Sequence, residues 1–224
     1  MSNNRFQNIL AIDTSSSYLR LAVSSGVDRI VKLNERVDRS HGRLIVKKMG
    51  DLMLSGGLKP DDLQALVVCT GPGSFTGLRI GLAAAKGMAV ALDIPIVGIS
   101  LFQMAAHRLR DEDHKVRIVI GLNRDECLLA PVGKGSFDAA DIRVVAYTEL
   151  ATVVGEDRLL GVGVTPDLGR VDRTDLIEYD AADLLTLGQN RLTVGDYDDL
   201  AALEPLYVQK SRAELRFEQQ PKKK

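Results

Sequence analysis

Apolar runs of two different periods divide the chain into short strands and amphipathic helices. Ile9 to Asp13 is an apolar run ending in an acid, the pattern of a buried central strand with a carboxylate at its tip. Thr14 to Ser17 is a turn of hydroxyl residues. From Tyr18 to Ser24, Leu19, Leu21 and Val23 alternate with Arg20 on the other face, which predicts a half-buried strand. Ser25-Gly26 turns the chain into a third strand over Asp28 to Asn34, so three short-linked strands make an antiparallel meander. The period then lengthens. Leu44, Ile45, Met49, Leu52 and Met53 form one stripe of a helix that Ser40 caps and Ser55-Gly56-Gly57 ends.

Strands and helices alternate from there. Pro60 to Leu63 reads as a short helical turn before a strand over Ala65 to Cys69. A loop follows, then a helix rich in small residues that runs to Ala91. Pro95 precedes a strand over Ile96 to Ile99, and Ser100 caps a helix to about Leu109. This order implies right-handed crossovers and a mixed sheet. The charged run Arg110 to Lys115 separates residues 1–109 from a smaller second part, 110–224. That part opens with a strand over Val116 to Leu122, a turn at Asn123 to Asp125 and a strand over Glu126 to Val132. The repeated strand–turn–strand opening points to an internal duplication. Weaker patterns predict strands at Ile142 to Ala146 and Leu159 to Val164, a helical turn at Glu149 to Val154, and helices at Asp183 to Leu187 and Tyr197 to Leu203.

The loop Gly71-Pro-Gly-Ser-Phe-Thr-Gly77 carries the densest candidate chemistry. Three glycines and a proline make it rich in free backbone, and Thr76 is placed to cap the helix it opens. Such a loop can hold phosphate on its N–H groups, or it can be a tight strand-to-helix turn with no ligand. A Walker loop would end in Gly-Lys-Ser/Thr, whereas Leu78 and Arg79 follow Gly77. A nucleophile elbow would place Ser midway between Gly73 and Gly77, where Phe75 stands.

Composition narrows the classes. With 45% hydrophobic and 26% charged residues among 224, the chain reads as an ordinary globular protein. A net charge of −1, no Trp and 4% aromatics argue against autonomous nucleic-acid binding. The two cysteines, Cys69 and Cys127, fit a reducing cytoplasm and cannot build a metal cluster alone. Met1 to Asn8 has no apolar core for a signal peptide, and no uninterrupted apolar run approaches bilayer length. The end from Phe217 to Lys224 reads as a solvated basic tail.

Three stretches carry a resemblance. Ile9 to Ser15, Gly71 to Arg79 and Glu204-Pro-Leu-Tyr-Val-Gln-Lys-Ser-Arg-Ala-Glu214 are similar to the bacterial TsaB (YeaZ) family, helper subunits in threonylcarbamoyladenosine synthesis on tRNA. The likeness covers essentially the whole chain. It implies an α/β, actin-like (sugar kinase-like) fold of two ribonuclease-H-like halves, the second reduced. The catalytic paralogue of the family, TsaD, shares the glycine loop but carries a His-x-x-x-His pair able to bind one metal. Leu101 and Ala105 match those two positions here, and neither can coordinate. His41, His107 and His114 are scattered. Actin-like ATPases carry a glycine beside the first-strand aspartate, where this chain has Thr14 and Ser15. Family members tend to have an acid and two arginines where it reads Gly121-Leu-Asn-Arg124.

By resemblance, then, Asp13, Thr14, Ser15, Gly71, Gly73, Ser74, Thr76 and Gly77 form vestigial phosphate-type loops, and Asp13 either bonds its own serine turn or keeps a residual ligand role. The resemblance places the partner interface on two helices, at His41, Leu44, Ile45, Lys48, Arg79, Ile80, Ala83, Ala84 and Gly87. The same residues could instead only cover the sheet. Implied partners are TsaD, the small ATPase subunit TsaE, a second copy when TsaD is absent, and tRNA through the complex alone, with no membrane. Implied cofactors are none tightly bound, with ATP or ADP at the complex interface at most. The rival readings are an autonomous actin-fold ATPase or kinase and a metallopeptidase.

Overall fold

The computed structural model describes residues 6–38, 40–111, 116–133, 136–162 and 174–206. The meander forms as expected: β1 (Ile9–Asp13), β2 (Tyr18–Ser25) and β3 (Arg29–Arg36) are antiparallel neighbours. Helix α1 (His41–Ser55) and a short helical turn at Pro60–Asp62 lead into β4 (Ala65–Gly71), which returns parallel to β1. Helix α2 (Phe75–Leu92), β5 (Ile96–Ser100) and α3 (Leu101–Arg108) follow, with β5 parallel to β4. The five strands lie in the order β3-β2-β1-β4-β5.

The second sheet repeats this plan. Strands β6 (Val116–Gly121), β7 (Glu126–Val132) and β8 (Arg143–Ala146) form an antiparallel meander. After α4 (Leu150–Val154), β9 (Arg158–Val162) runs parallel to β6, and β10 (Thr174–Ile177) parallel to β9. Its order, β10-β9-β6-β7-β8, is the first sheet's order with each strand replaced by its counterpart five places later. The fold is therefore α/β with two ribonuclease-H-like halves. Among the described residues the second half has shrunk: where α1 and α2 cover the outer face of the first sheet, the five-residue α4 stands over Val119, Cys127, Leu129, Val145 and Leu159.

Strand alternation splits the core into layers. Leu10, Ile12, Leu21, Leu66 and Val68 face α1 and α2. Ile9, Ala11, Val67, Val97 and Ile99 face inward, meeting α3 and Ile118, Leu128, Ala130 and Leu160 of the second sheet. The last helix, α5 (Ala181–Thr193), follows the second sheet in sequence yet lies on the first. Its close fit needs Gly188, because a β-carbon there would run into the Val67 side chain.

Three expectations are corrected. Helix α2 starts at Phe75, two residues earlier than a Thr76 cap requires, because the Ser74 side chain accepts the Gly77 amide at 3.2 Å. The four-residue strand β10 has no apolar run to announce it. Tyr197 to Leu203 forms no regular helix but a strap along the free edge of β5, with a single turn in which Leu203 N donates to Asp199 O at 2.8 Å. At that edge the Asp198 amide donates to Ile96 O at 3.0 Å and Gly98 N to the Asp198 carboxylate at 2.7 Å, and further on Leu206 N donates to Thr70 O of β4 at 2.8 Å. Lys86 of α2 donates to Leu203 O at 2.9 Å, which clamps the strap to that helix. Helix α2, of 18 residues and mean hydropathy 1.3, is the one described helix long and apolar enough to cross a bilayer. Leu78, Leu82, Ala85 and Ala89 instead seat it on the first sheet.

Candidate functional site

Asp13 ends β1 in the middle of the first sheet and is fully buried. Its carboxylate accepts the Ser15 amide at 2.8 Å, the Tyr179 hydroxyl at 3.1 Å and Arg20 Nη1 at 3.3 Å. The same guanidinium nitrogen donates to Ser16 Oγ at 3.0 Å and to the Tyr179 oxygen at 3.2 Å. Its carbon stands 5.2 Å from the centre of the Tyr18 ring and 4.6 Å from that of Tyr179. Tyr179 immediately precedes Asp180, the cap of α5, so the cluster joins the first strand to the return from the second sheet. Burial pushes the Tyr179 hydroxyl and the nearby Cys69 thiol well above their ordinary pKa values, and the charge of Asp13 adds to both shifts. Asp13 thus bonds its serine turn, as one of the two sequence readings had it, and also a tyrosine that no local pattern revealed.

The glycines of the second loop have a packing reason. Gly73, Gly77 and Gly81 recur every fourth residue against the β1–β2 turn. A β-carbon at any of them would enter the space of Ser15 O, Thr14 O or Thr14 Oγ1 respectively. Thr14 Oγ1 donates to Gly77 O at 2.8 Å, and Ser74 N donates to Ser15 O at 2.7 Å. Gly71 N points to Cys69 Sγ at 3.4 Å, and Leu78 N bonds Ser74 O at 2.8 Å. The amides of Gly71, Ser74, Gly77 and Leu78 are thus turned onto the chain itself. Asp13, Thr14, Ser15, Gly71, Gly73, Ser74 and Gly77 are brought together, while Thr76 lies exposed in the first turn of α2. The corresponding turn of the second half closes on itself as well: Asn123 Oδ1 accepts the amides of Asp125 and Glu126 at 2.8 and 3.0 Å.

The proposed metal positions are core. Leu101 and Ala105 sit buried on α3, and no group of three His, Cys, Asp or Glu able to hold a metal occurs among the described residues. His107 contacts Arg110, just beyond the end of α3, at 3.3 Å, and His114 lies outside the described residues.

Helices α1 and α2 lie side by side, close enough that a β-carbon at Gly42 would touch Ile80 at 3.6 Å. Of the nine residues expected at an interface, Arg79, Ala83 and Gly87 are exposed, and Leu44, Lys48, Ile80 and Ala84 are half-buried. His41 and Ile45 must be withdrawn from that surface. Ile45 packs into the sheet with Met49 and Leu52, and His41 is buried with its Nε2 at 3.2 Å from Tyr18 O. The four-residue step from Gly42 through Val46 to Gly50 marks the side of α1 that does face out, and Val90 extends the outward side of α2. Val46 and Val90 are 72% and 66% exposed. Gly50 and Gly87 have nothing within 4 Å of an added β-carbon.

Comparison with known proteins adds an independent finding. Residues 33–124 match the family model of TsaD, the tRNA N6-adenosine threonylcarbamoyltransferase. The chain is 26% identical to the tRNA threonylcarbamoyladenosine biosynthesis protein TsaB of Escherichia coli, over 92% of this chain and 96% of that protein. It is 33% identical to the TsaB protein of Bacillus subtilis, over 53% of this chain and 52% of that one. Among solved structures, YeaZ from Pseudomonas aeruginosa superposes with a TM-score of 0.72 at 24% identity, over 90% of this chain and 100% of that one. This last likeness concerns the fold alone.

Proposed function

We propose that the chain is a member of the TsaB (YeaZ) family and, on that premise, the non-catalytic scaffold subunit of a tRNA threonylcarbamoyladenosine synthesis complex. It pairs with TsaD through the outward faces of α1 and α2. The observation that carries this reading is the pair Gly50 and Gly87. Glycine inside a helix costs about 1 kcal/mol relative to alanine, and at these two positions no neighbour among the described residues requires it. A second helix pair approaching closely would. The stretch that matches the TsaD model, 33–124, contains both helices, which favours a patch that a related partner or a second copy can occupy. Asp13 and the glycine loop then serve the fold and not a phosphate. TsaE binds to the assembled pair, nucleotide reaches this chain at that interface at most, and the complex works in the cytoplasm.

The test is reconstitution of tRNA modification from TsaD, TsaE, this chain, tRNA and threonylcarbamoyl-adenylate, leaving out each component in turn. This chain alone is expected neither to hydrolyse ATP nor to modify tRNA, yet its omission abolishes turnover. Robust ATP hydrolysis by the isolated chain that is lost in Asp13→Ala would establish the kinase-like reading in its place.

A further inference from the structure

The Asp13 cluster and the glycine contacts form one continuous chain of bonds between elements far apart in sequence. At one end the Tyr179 hydroxyl holds the Asp13 carboxylate at 3.1 Å and Arg20 at 3.2 Å, just before α5 begins. In the middle, Asp13 closes the turn through the Ser15 amide at 2.8 Å. At the other end, Thr14 Oγ1 and Ser15 O hold Gly77 and Ser74 at the start of α2, at 2.8 and 2.7 Å. Asp13, Thr14 and Ser15 are buried, and the three glycines let the backbones meet with no side chain between them.

We propose that this cluster is a conformational latch that couples the seat of α5 to the first turn of α2, so that order at one is felt at the other. Close-packed groups of this kind move together because a shift of any one leaves a buried polar group unpaired. Arg20 is the keystone: its guanidinium is shared by Asp13, Ser16 and Tyr179, so a loosened Tyr179 also frees the side of Asp13 that steadies the turn. The coupling is a property of the free chain and stands whether or not α2 receives TsaD. If it does, docking on α2 is communicated to the seat of α5 on the first sheet.

Coupling must run both ways, which gives two independent readouts by hydrogen exchange on the free protein. Tyr179→Phe removes the hydroxyl and keeps the ring beside Arg20. The Ser74 amide, held by Ser15 O, is expected to exchange at least about tenfold faster, while β6 and β7 are unchanged. Thr14→Val removes the bond to Gly77 O with little change of shape. It is expected to speed exchange of the Ala182 amide, which Asp180 Oδ1 holds at 2.7 Å, by a similar factor. Wild-type exchange at Ser74 in Tyr179→Phe, together with wild-type exchange at Ala182 in Thr14→Val, overturns the latch. Should Tyr179→Phe not fold, the Ala182 amide in Thr14→Val decides alone.

Discussion

The Tyr179 hydroxyl donates to the Asp13 carboxylate across 3.1 Å, although 166 positions separate the two residues. An acid at the tip of the first strand of such a sheet stands where a ligand's phosphates could meet it. Here a tyrosine from the far end of the chain occupies its lone pairs, and Arg20 neutralises its charge. The first-strand acid, which the resemblance places in a vestigial phosphate-type loop, is here bonded within the chain itself.

Asp13→Ala should cost stability in the range of about 3–5 kcal/mol, because it leaves the Arg20 guanidinium buried beside nothing of opposite charge. Replacing both partners, Asp13→Leu with Arg20→Met, should recover most of that loss. Urea titrations of the three variants measure it. A loss below about 1 kcal/mol in Asp13→Ala would show that the pair is not what holds the turn.

Two glycine-to-alanine changes should move stability in opposite directions. Gly77→Ala puts a methyl group into the Thr14 carbonyl, a backbone atom that cannot turn aside, so severe destabilisation or failure to fold is expected. Gly87→Ala meets open space inside a helix and should stabilise the free chain by about 0.5–1 kcal/mol. The same change should weaken pairing with TsaD, read by sedimentation of the mixture. Undiminished pairing in both Gly87→Ala and Val46→Asp would place the contact elsewhere.

Protein prepared without an affinity tag should carry no stoichiometric transition metal, since buried Leu101 and Ala105 stand at the positions matching the paralogue's ligands. Elemental analysis decides this. Near-equimolar zinc or iron in repeated preparations would contradict the correspondence.

Alkali should unfold the protein earlier than its acidic groups suggest. Burial raises the Cys69 thiol well above its ordinary 9.0 and Tyr179 well above 10.0, and it pushes Cys127 up to about 11. Between the ordinary value and the raised one, the folded state binds a proton that the unfolded state has released. The contribution of these groups is thus complete below about pH 9 and is lost as pH rises, at about 1.4 kcal/mol per pH unit for each group in its window. Denaturation midpoints against pH should fall from about pH 9, and Tyr179→Phe should lessen the slope above about pH 10, leaving the share of Tyr147, which burial pushes up to about 12.

What the sequence revealed depended on how locally each feature is determined. The apolar run Ile9–Asp13, the stripe from Ile45 to Met53 and the Ser100 cap are set by neighbours within one turn or one strand, and all were legible. The reason for Gly73, Gly77 and Gly81 was not, because the atoms that exclude a side chain belong to Thr14 and Ser15, far back in the chain. Tyr179 was invisible for the same reason. Tyr197 to Leu203 has a helical composition, but Ile96, Gly98 and Lys86 claim its backbone and Asp198 carboxylate, and tertiary bonds overrode propensity. For His41 and Ile45, family likeness outweighed a periodicity that had already put Ile45 on the core stripe.

The strap along β5 has a bearing on how the protein can be handled. The sheet order leaves β5 as an unpaired margin, and the strap fills hydrogen-bonding positions at Ile96 and Gly98. A version cut before Asp196 would keep every strand and helix of the described residues, yet expose that margin to strand addition from another molecule. Clumping of such a shortened chain at concentrations where the full one stays monodisperse is the expected laboratory symptom. Fusions and tags are accordingly better attached at the other terminus.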